Sequence, residues 1–223
     1  MIALLKKSFL NVPIYILALF IFSSFIFILF PEFDLYISSL FYDKVFVNAY
    51  GSSFEHFFYH SVEPIVLFTL FFSIAVFTYN SIYKKDFLHI NKRVMLYIVL
   101  VVTIAPGLFV NLILKENWGR ARPSQIVQFG GEKKFTPAFI ISDQNGNSFS
   151  SGHAAAAFSL IGFALLARKK RKIWISLAMG YGILVSIARL SVGGHFLSDV
   201  VTSFFIVYIT TLILYGLIIK GKT

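Results

Sequence analysis

The chain contains no cysteine, which excludes disulfides, thiolate metal sites and every phosphatase mechanism that uses a cysteine nucleophile. It is also poor in charge. Asp, Glu, Lys and Arg make up 13% of its 223 residues, and the acids are half as many as the bases, 10 against 20. Helices of a soluble bundle need polar outer faces, and so few charges do not supply them. Internal repeats, low-complexity tracts and Gly/Ser linkers are missing too, so residues 1–223 read as one domain.

What is abundant is apolar surface: 57% of the residues are hydrophobic and 18% aromatic. Six apolar stretches are expected to cross a membrane as helices, at about 13–30, 64–83, 94–114, 153–167, 173–189 and 199–219. About 20 residues are needed to cross a bilayer core, so the fourth and fifth are short. Lys6 and Lys7 before the first run fit a signal peptide. The sequence that follows it, Phe30-Pro31-Glu32-Phe33, is no small-x-small cleavage site, and a retained helix is expected. The fold class is thus an all-α, six-helix membrane bundle, with an aromatic interfacial segment at 31–63 and an irregular outer loop at 115–152.

A net charge of +10 suggests nucleic acid in a soluble protein, but here its distribution gives another answer. Thirteen of the 20 bases (Lys6, Lys7, Lys84, Lys85, Lys92, Arg93, Arg168, Lys169, Lys170, Arg171, Lys172, Lys220 and Lys222) fall on one side of a six-span arrangement. Nine of the ten acids fall on the other, all but Asp86. The positive-inside rule puts both termini in the cytoplasm and the loop 115–152 on the outer face.

Three polar clusters lie on that outer face: Lys115 to Pro123, Ser150-Ser151-Gly152-His153, and Arg189 followed by His195 and Asp199. In skeleton form they are K-x6-R-P, S-G-H and R-x5-H-x3-D. Lys115, Arg122 and Arg189 supply charge suited to the equatorial oxygens of a transferring phosphoryl group. Ser150 or Ser151 is a natural N-cap, Gly152 lets backbone approach a ligand, and amides at a helix N-terminus bind phosphate oxygens. His195 and Asp199 are i, i+4, so the carboxylate can fix the imidazole tautomer and leave the other nitrogen as nucleophile. His153 is the candidate general acid for the leaving group. Arg120 is open between support of the site, a lipid headgroup and the surface. His56 and His60 share a helical spacing but lack a third ligand, so no zinc site is expected. Pro106-Gly107 reads as a kink, and Asn111 as lining the entrance or bonding another helix.

At these residues the chain resembles the type-2 phosphatidic acid phosphatases, the lipid phosphate phosphatase family. The resemblance implies a six-helix membrane bundle with His195 forming a phosphohistidine, Asp199 orienting it and His153 protonating the leaving group. Lys115, Arg122, Ser151, Gly152 and Arg189 would hold the phosphate without metal or other cofactor. Two positions depart from the family pattern: Ser150 stands where a proline precedes S-G-H, and Ala188 where a serine precedes Arg189. A hydroxyl able to bond phosphate is therefore missing at 188. Within the family, Asn117-Trp118-Gly119-Arg120, Gln128-Phe129-Gly130-Gly131 and Gly193-Gly194-His195-Phe196 resemble the bacterial lipid A phosphatases, the 4′-phosphatase group above all. The implied location is the bacterial inner membrane with the site on the periplasmic face, and the implied partner is a lipid phosphate, with no nucleic acid and no obligate protein partner. Undecaprenyl diphosphate and phosphatidylglycerophosphate remain alternative substrates. A vanadium haloperoxidase shares the skeleton but is soluble. A metal-dependent phosphatase needs clustered carboxylates, and a transporter carries charge inside its spans rather than at their ends.

Overall fold

The computed structural model describes residues 8–48 and 52–221. Lys6, Lys7 and Lys222, which count toward the charge asymmetry, lie outside the described residues. The described chain is predominantly helical, with two small antiparallel ribbons, β1 (Ser8–Phe9) with β2 (Val12–Pro13) and β3 (Tyr42–Asp43) with β4 (Val45–Phe46). The helices are α1 (Ile14–Leu29), α2 (Glu32–Ser39), α3 (Ser53–Tyr83), α4 (Lys92–Val102, continued by Thr103–Lys115), α5 (Gly152–Leu165), α6 (Arg171–Ser191) and α7 (Leu197–Leu214, continued by Tyr215–Lys220).

Local chemistry sets several of these boundaries. Phe30 precedes Pro31 and is driven out of the helical region, so α1 stops at Leu29 and the chain turns 88° into α2. The side chain of Asn91 accepts from the amides of Arg93 and Val94 and starts α4. Pro106 has no N–H to give, and from Thr103 to Lys115 the winding widens to the i→i+5 pattern, the form the expected kink takes. Asn111 donates to the Pro106 carbonyl at 2.8 Å, so it bonds its own helix rather than another.

Among the described residues, four helices are long and apolar enough to cross a membrane: Ser53–Tyr83, Lys92–Lys115, Arg171–Ser191 and Leu197–Lys220. The bent pair α1–α2 brings the number to five if it forms one span. The protein is therefore a multi-pass membrane protein, with fewer full-length spans than the six expected. Two expected stretches fall short: 13–30 ends at the bend after the 16-residue α1, and 153–167 forms the 14-residue helix α5, roughly 21 Å long against a ~30 Å core. Nine of its fourteen residues are buried, because α5 sits in the middle of the bundle with α4, α6 and α7 around it. Its neighbours are protein rather than lipid, so its length need not match the bilayer. Ala154, Ala155 and Ala157 are small enough for close helix approach, and Gly182 of α6 lies so near the Phe158 ring that a Cβ would overlap it.

The segment 31–63, expected at the interface, is more ordered than a loop, and several of its aromatics, Phe33, Tyr36 and Phe57 among them, are exposed. It contains α2, the β3–β4 ribbon and the beginning of α3, which starts at Ser53 and runs through Pro64. Asp34 and Glu55 in this segment are buried. Tyr42 and Phe46 pack on Phe129 of the outer loop with ring centroids 5.1 and 5.3 Å away, so the ribbon is clamped to that loop.

Candidate active site

Every sequence-predicted site residue sits at or beside one end of a helix, and those ends converge. Lys115 closes α4, Ser151, Gly152 and His153 open α5, Arg189 lies in the last turn of α6, and Asp199 is in the first turn of α7. His195 occupies the tight connection between α6 and α7, and Arg122 immediately precedes the turn Pro123–Gln125. Lys115, Arg122, Arg189, His153 and His195 are close enough to act on one another electrostatically.

Ser151 caps α5 as expected, its hydroxyl accepting from the Ala154 amide at 3.4 Å. Gly152 lies close to α4 in a way the sequence did not show: a Cβ there would overlap the Asn111 carboxamide oxygen, which would have to shift. Gly194 serves similarly, since a Cβ would overlap the guanidinium of Arg189. The backbone before His195 can thus lie directly on that cation. The amide of Ser124 donates to the Gly193 carbonyl at 3.0 Å and ties the Arg122 turn to the His195 connection.

The orientation of His195 differs in detail from the expected histidine–aspartate bond. Its Nδ1 lies 2.7 Å from the backbone carbonyl of Ser148 and 3.8 Å from the Asp199 carboxylate. A carbonyl only accepts, so Nδ1 carries the proton and Nε2 keeps its lone pair. Asp199 acts one step back. It accepts from the Ser148 hydroxyl at 2.6 Å and the Phe196 amide at 2.8 Å, and thereby holds the loop that presents the carbonyl. Burial, reinforced by Arg189 and Arg122 and opposed by Asp199, pushes the His195 imidazole down to about 4, so it is neutral at physiological pH.

Arg120, which the sequence left open, is entirely buried. It donates to Asp199 at 2.5 Å, to Asp34 at 2.8 Å, to the Ser198 hydroxyl at 2.8 Å and to the Thr136 carbonyl at 2.8 Å. Its guanidinium also lies 4.2 Å from the centre of the Phe196 ring. Asp34 completes the network by accepting from the Ser198 amide and hydroxyl. Asp34, Ser148 and Ser198 were not singled out from sequence. The one available signal was an acid in an aromatic segment just past an apolar run.

The remaining cations contrast with Arg120. Arg189 is 6% exposed, and its Nε has no partner. Neither Arg189, Arg122 nor Lys115 forms an ion pair with a carboxylate among the described residues. The guanidinium of Arg189 rests 4.9 Å from the Tyr59 ring, and the same tyrosine stacks on His153 at 4.6 Å. Tyr59 therefore positions both groups, a role that its place in an aromatic segment did not reveal. The buried hydroxyl of Ser150, at the departure from the family pattern, likewise lacks a partner. A cavity of about 560 Å³ opens beside these groups, with Arg122, Arg189, Tyr59, Lys44 and Gly194 in its wall. No cluster of three or more His, Asp or Glu side chains placed to hold a metal occurs among the described residues.

A family model described as the PAP2 superfamily matches residues 95–221, the part of the chain that carries all three clusters. The chain belongs to the PAP2 superfamily. It is 35% identical over 207 residues to a lipid A 4′-phosphatase of Francisella tularensis subsp. novicida (strain U112), covering 88% of this chain and 90% of that one. A lipid A 4′-phosphatase of Rhizobium leguminosarum is 33% identical over 189 residues, covering 77% and 81%. Another from Rhizobium etli is 42% identical over 100 residues, covering 44% and 39%. No solved structure matches the chain. This PAP2 protein is a membrane phosphatase.

Proposed function

We propose that the enzyme, as one integral-membrane domain, removes a phosphate monoester from the sugar headgroup of a lipid of the lipid A class. The reaction proceeds through a phosphohistidine on His195, at the periplasmic face of the inner membrane. The observation that carries this reading is a buried arginine, Arg189, without a carboxylate partner among the described residues and beside a histidine whose tautomer is fixed. Uncompensated buried cations are costly to a fold, and a phosphoryl group is the anion that fits them.

The steps follow from the atoms present. Nε2 of His195 attacks phosphorus as the bond to the sugar oxygen breaks, and His153, protonated once the bound phosphate offsets the cations around it, gives that oxygen its proton. Lys115, Arg122 and Arg189 take the charge on the three equatorial oxygens, with the α5 amides behind Ser151 adding donors. Asp199 and Arg120 hold the Ser148 carbonyl against the imidazolium that forms. Water then attacks phosphorus, His153 accepts its proton, and the P–N bond breaks to return His195. All of these groups belong to the protein, so no metal is needed.

The similarity to lipid A 4′-phosphatases over nearly the whole chain supports the substrate class. The charge distribution supports six crossings with both termini in the cytoplasm, α1–α2 and the central α5 being the two that fall short of full length. The test offers purified enzyme, in excess chelator, lipid A, undecaprenyl diphosphate and phosphatidylglycerophosphate, and compares phosphate release. Lipid A is expected to turn over fastest. Faster release from either other lipid replaces the substrate, and dependence on a divalent ion replaces the mechanism. For orientation, single cysteines at the exposed Asp143 and Lys170 of this cysteine-free chain are challenged in intact cells with an impermeant thiol reagent. Labelling at 143 alone is expected; labelling at 170 alone inverts the topology.

A further inference from the structure

A cavity of about 800 Å³ lies at the opposite end of the bundle from the candidate active site. It is a cleft between α3 and α6, lined also by α4, α5 and the end of α7. The two long helices bond near the active end, where the Ser61 and Tyr181 hydroxyls lie 2.8 Å apart, and they leave the cleft beyond that point. Arg171 lines its mouth and Arg189 the active site, 18 residues apart on one helix and so separated by roughly 27 Å, about the thickness of a bilayer core.

The cleft has two chemically distinct parts. Its body is apolar, with walls such as Phe72 and Leu177. Even the hydroxyls of Thr69 and Ser73 are turned inward, each donating to its own helix at 2.7 Å. Its mouth is cationic, formed by Arg93, Arg168 and Arg171 beside the exposed Trp174. Arg171 gives one N–H to the Ala167 carbonyl, whereas no hydrogen bond or ion pair is formed by the side chains of Arg93 and Arg168 among the described residues. Asp86, the sole acid at this end, is already bonded to His89 at 2.5 Å. Nothing in the described protein neutralises the three guanidiniums. An apolar slot ending in arginines without a carboxylate partner among the described residues, at membrane-interface depth, has the complementarity of a lipid that carries a negative phosphate above its chains.

We propose that this cleft binds one anionic phospholipid, with an acyl chain between α3 and α6 and its phosphate at Arg93, Arg168 and Arg171. The site is independent of the catalytic reading, since it shares no residue with it. The cleft binds this lipid without cleaving it; its Thr69 and Ser73 hydroxyls are held by their own helix.

The test uses the full-length protein in detergent and measures, by native mass spectrometry, retention of phosphatidylglycerol against phosphatidylcholine of identical chains. The wild type is expected to prefer phosphatidylglycerol by roughly tenfold or more, since each basic residue near the surface adds attraction to a net negative headgroup. The triple variant Arg93→Gln, Arg168→Gln, Arg171→Gln should lose that preference while keeping its helical content and phosphatase activity. Lys84→Gln, Lys85→Gln, Lys169→Gln removes equal charge at the same end outside the cleft and should keep it. Ala178→Phe, which fills the apolar body and retains all three arginines, should also lose the lipid. Absence of preference in the wild type overturns the proposal. Equal loss in the two triple variants reduces it to general surface charge and overturns it as well.

Discussion

Arg120 and Arg122 are two residues apart in one loop and have opposite surroundings. Arg120 is wholly buried and has two carboxylates, a hydroxyl and a carbonyl. Arg122, with Arg189 and Lys115, has no carboxylate among the described residues. The site is thus built in two halves that meet at His195. The rear half is electrically closed, and its cation–carboxylate network fixes the Ser148 carbonyl and hence the imidazole. The front half is left positive, stabilised only when an anion arrives. A buried charge pair lends little net stability against an apolar alternative but is costly to break, whereas an unpaired buried cation weakens the fold that carries it. The sequence motif K-x6-R-P contains both kinds of arginine and does not distinguish them.

The largest effect belongs to the residue where the halves meet. His195→Ala should abolish turnover, by roughly 10⁴-fold or more, since no other group supplies the covalent step. Its helical content in detergent should match that of the wild type. Residual turnover within tenfold of wild type would remove the phosphohistidine and with it the reason for separating the halves.

Next come the front cations. Arg189→Ala and Arg122→Ala should each lower kcat by roughly 10²–10³-fold, the range for removing one preorganised stabiliser of transition-state charge. Because each removal also relieves repulsion among like charges, thermal unfolding of the protein without ligand should shift upward or stay unchanged. Vanadate should raise the unfolding temperature of the wild type by mass action and should fail to do so for Arg189→Ala. A marked loss of stability in Arg189→Ala would mean that the front half contains a protein anion and is structural.

The rear half should respond in the reverse order. Arg120→Met strands two buried carboxylates and should cost about 3–5 kcal/mol of stability, measured by denaturation in detergent. Adding Asp34→Asn to that variant removes one stranded charge and should recover part of the loss, although Asp34→Asn alone destabilises. Additive losses in the double variant would show that the two residues do not form one network.

How much of this was legible beforehand differs between the same two halves. The front half was readable because its motif residues recur at fixed spacing: Lys115, Arg122, Ser151, Gly152, His153, Arg189 and His195 are all brought to one place, and of the rear half only Asp199 shares that motif spacing. The rest of the rear half was not, because its members lie far apart in sequence and have no motif. Asp34 is 86 residues from Arg120, and Ser148 contributes to His195 through a backbone carbonyl that any residue possesses. Helix positions were legible from apolar run length, but the span count was not. Run length measures exposure to lipid, and α5 is surrounded by protein. Tyr59 and Asp34 were masked by an aromatic segment whose composition suits the interface equally well.

The smallest effect is on a proton. Burial holds the His195 imidazole down to about 4, and the front cations Arg189 and Arg122 push the same way. An unfolded histidine titrates near 6.5. Between those values the unfolded chain binds a proton that the folded one does not, so folding loses stability as pH falls from about 6.5 to about 4 and regains none below. Titration of ¹⁵N-histidine-labelled protein by NMR, with His195→Ala for assignment, should show Nε2 of His195 still unprotonated at pH 5.5. In Arg189→Ala one opposing charge is gone, and the midpoint should rise toward the ordinary value. A wild-type midpoint near 6.5 would mean that the imidazole is neither sealed from water nor facing an uncompensated cation, and the division of the site would fail at the atom where its halves are joined.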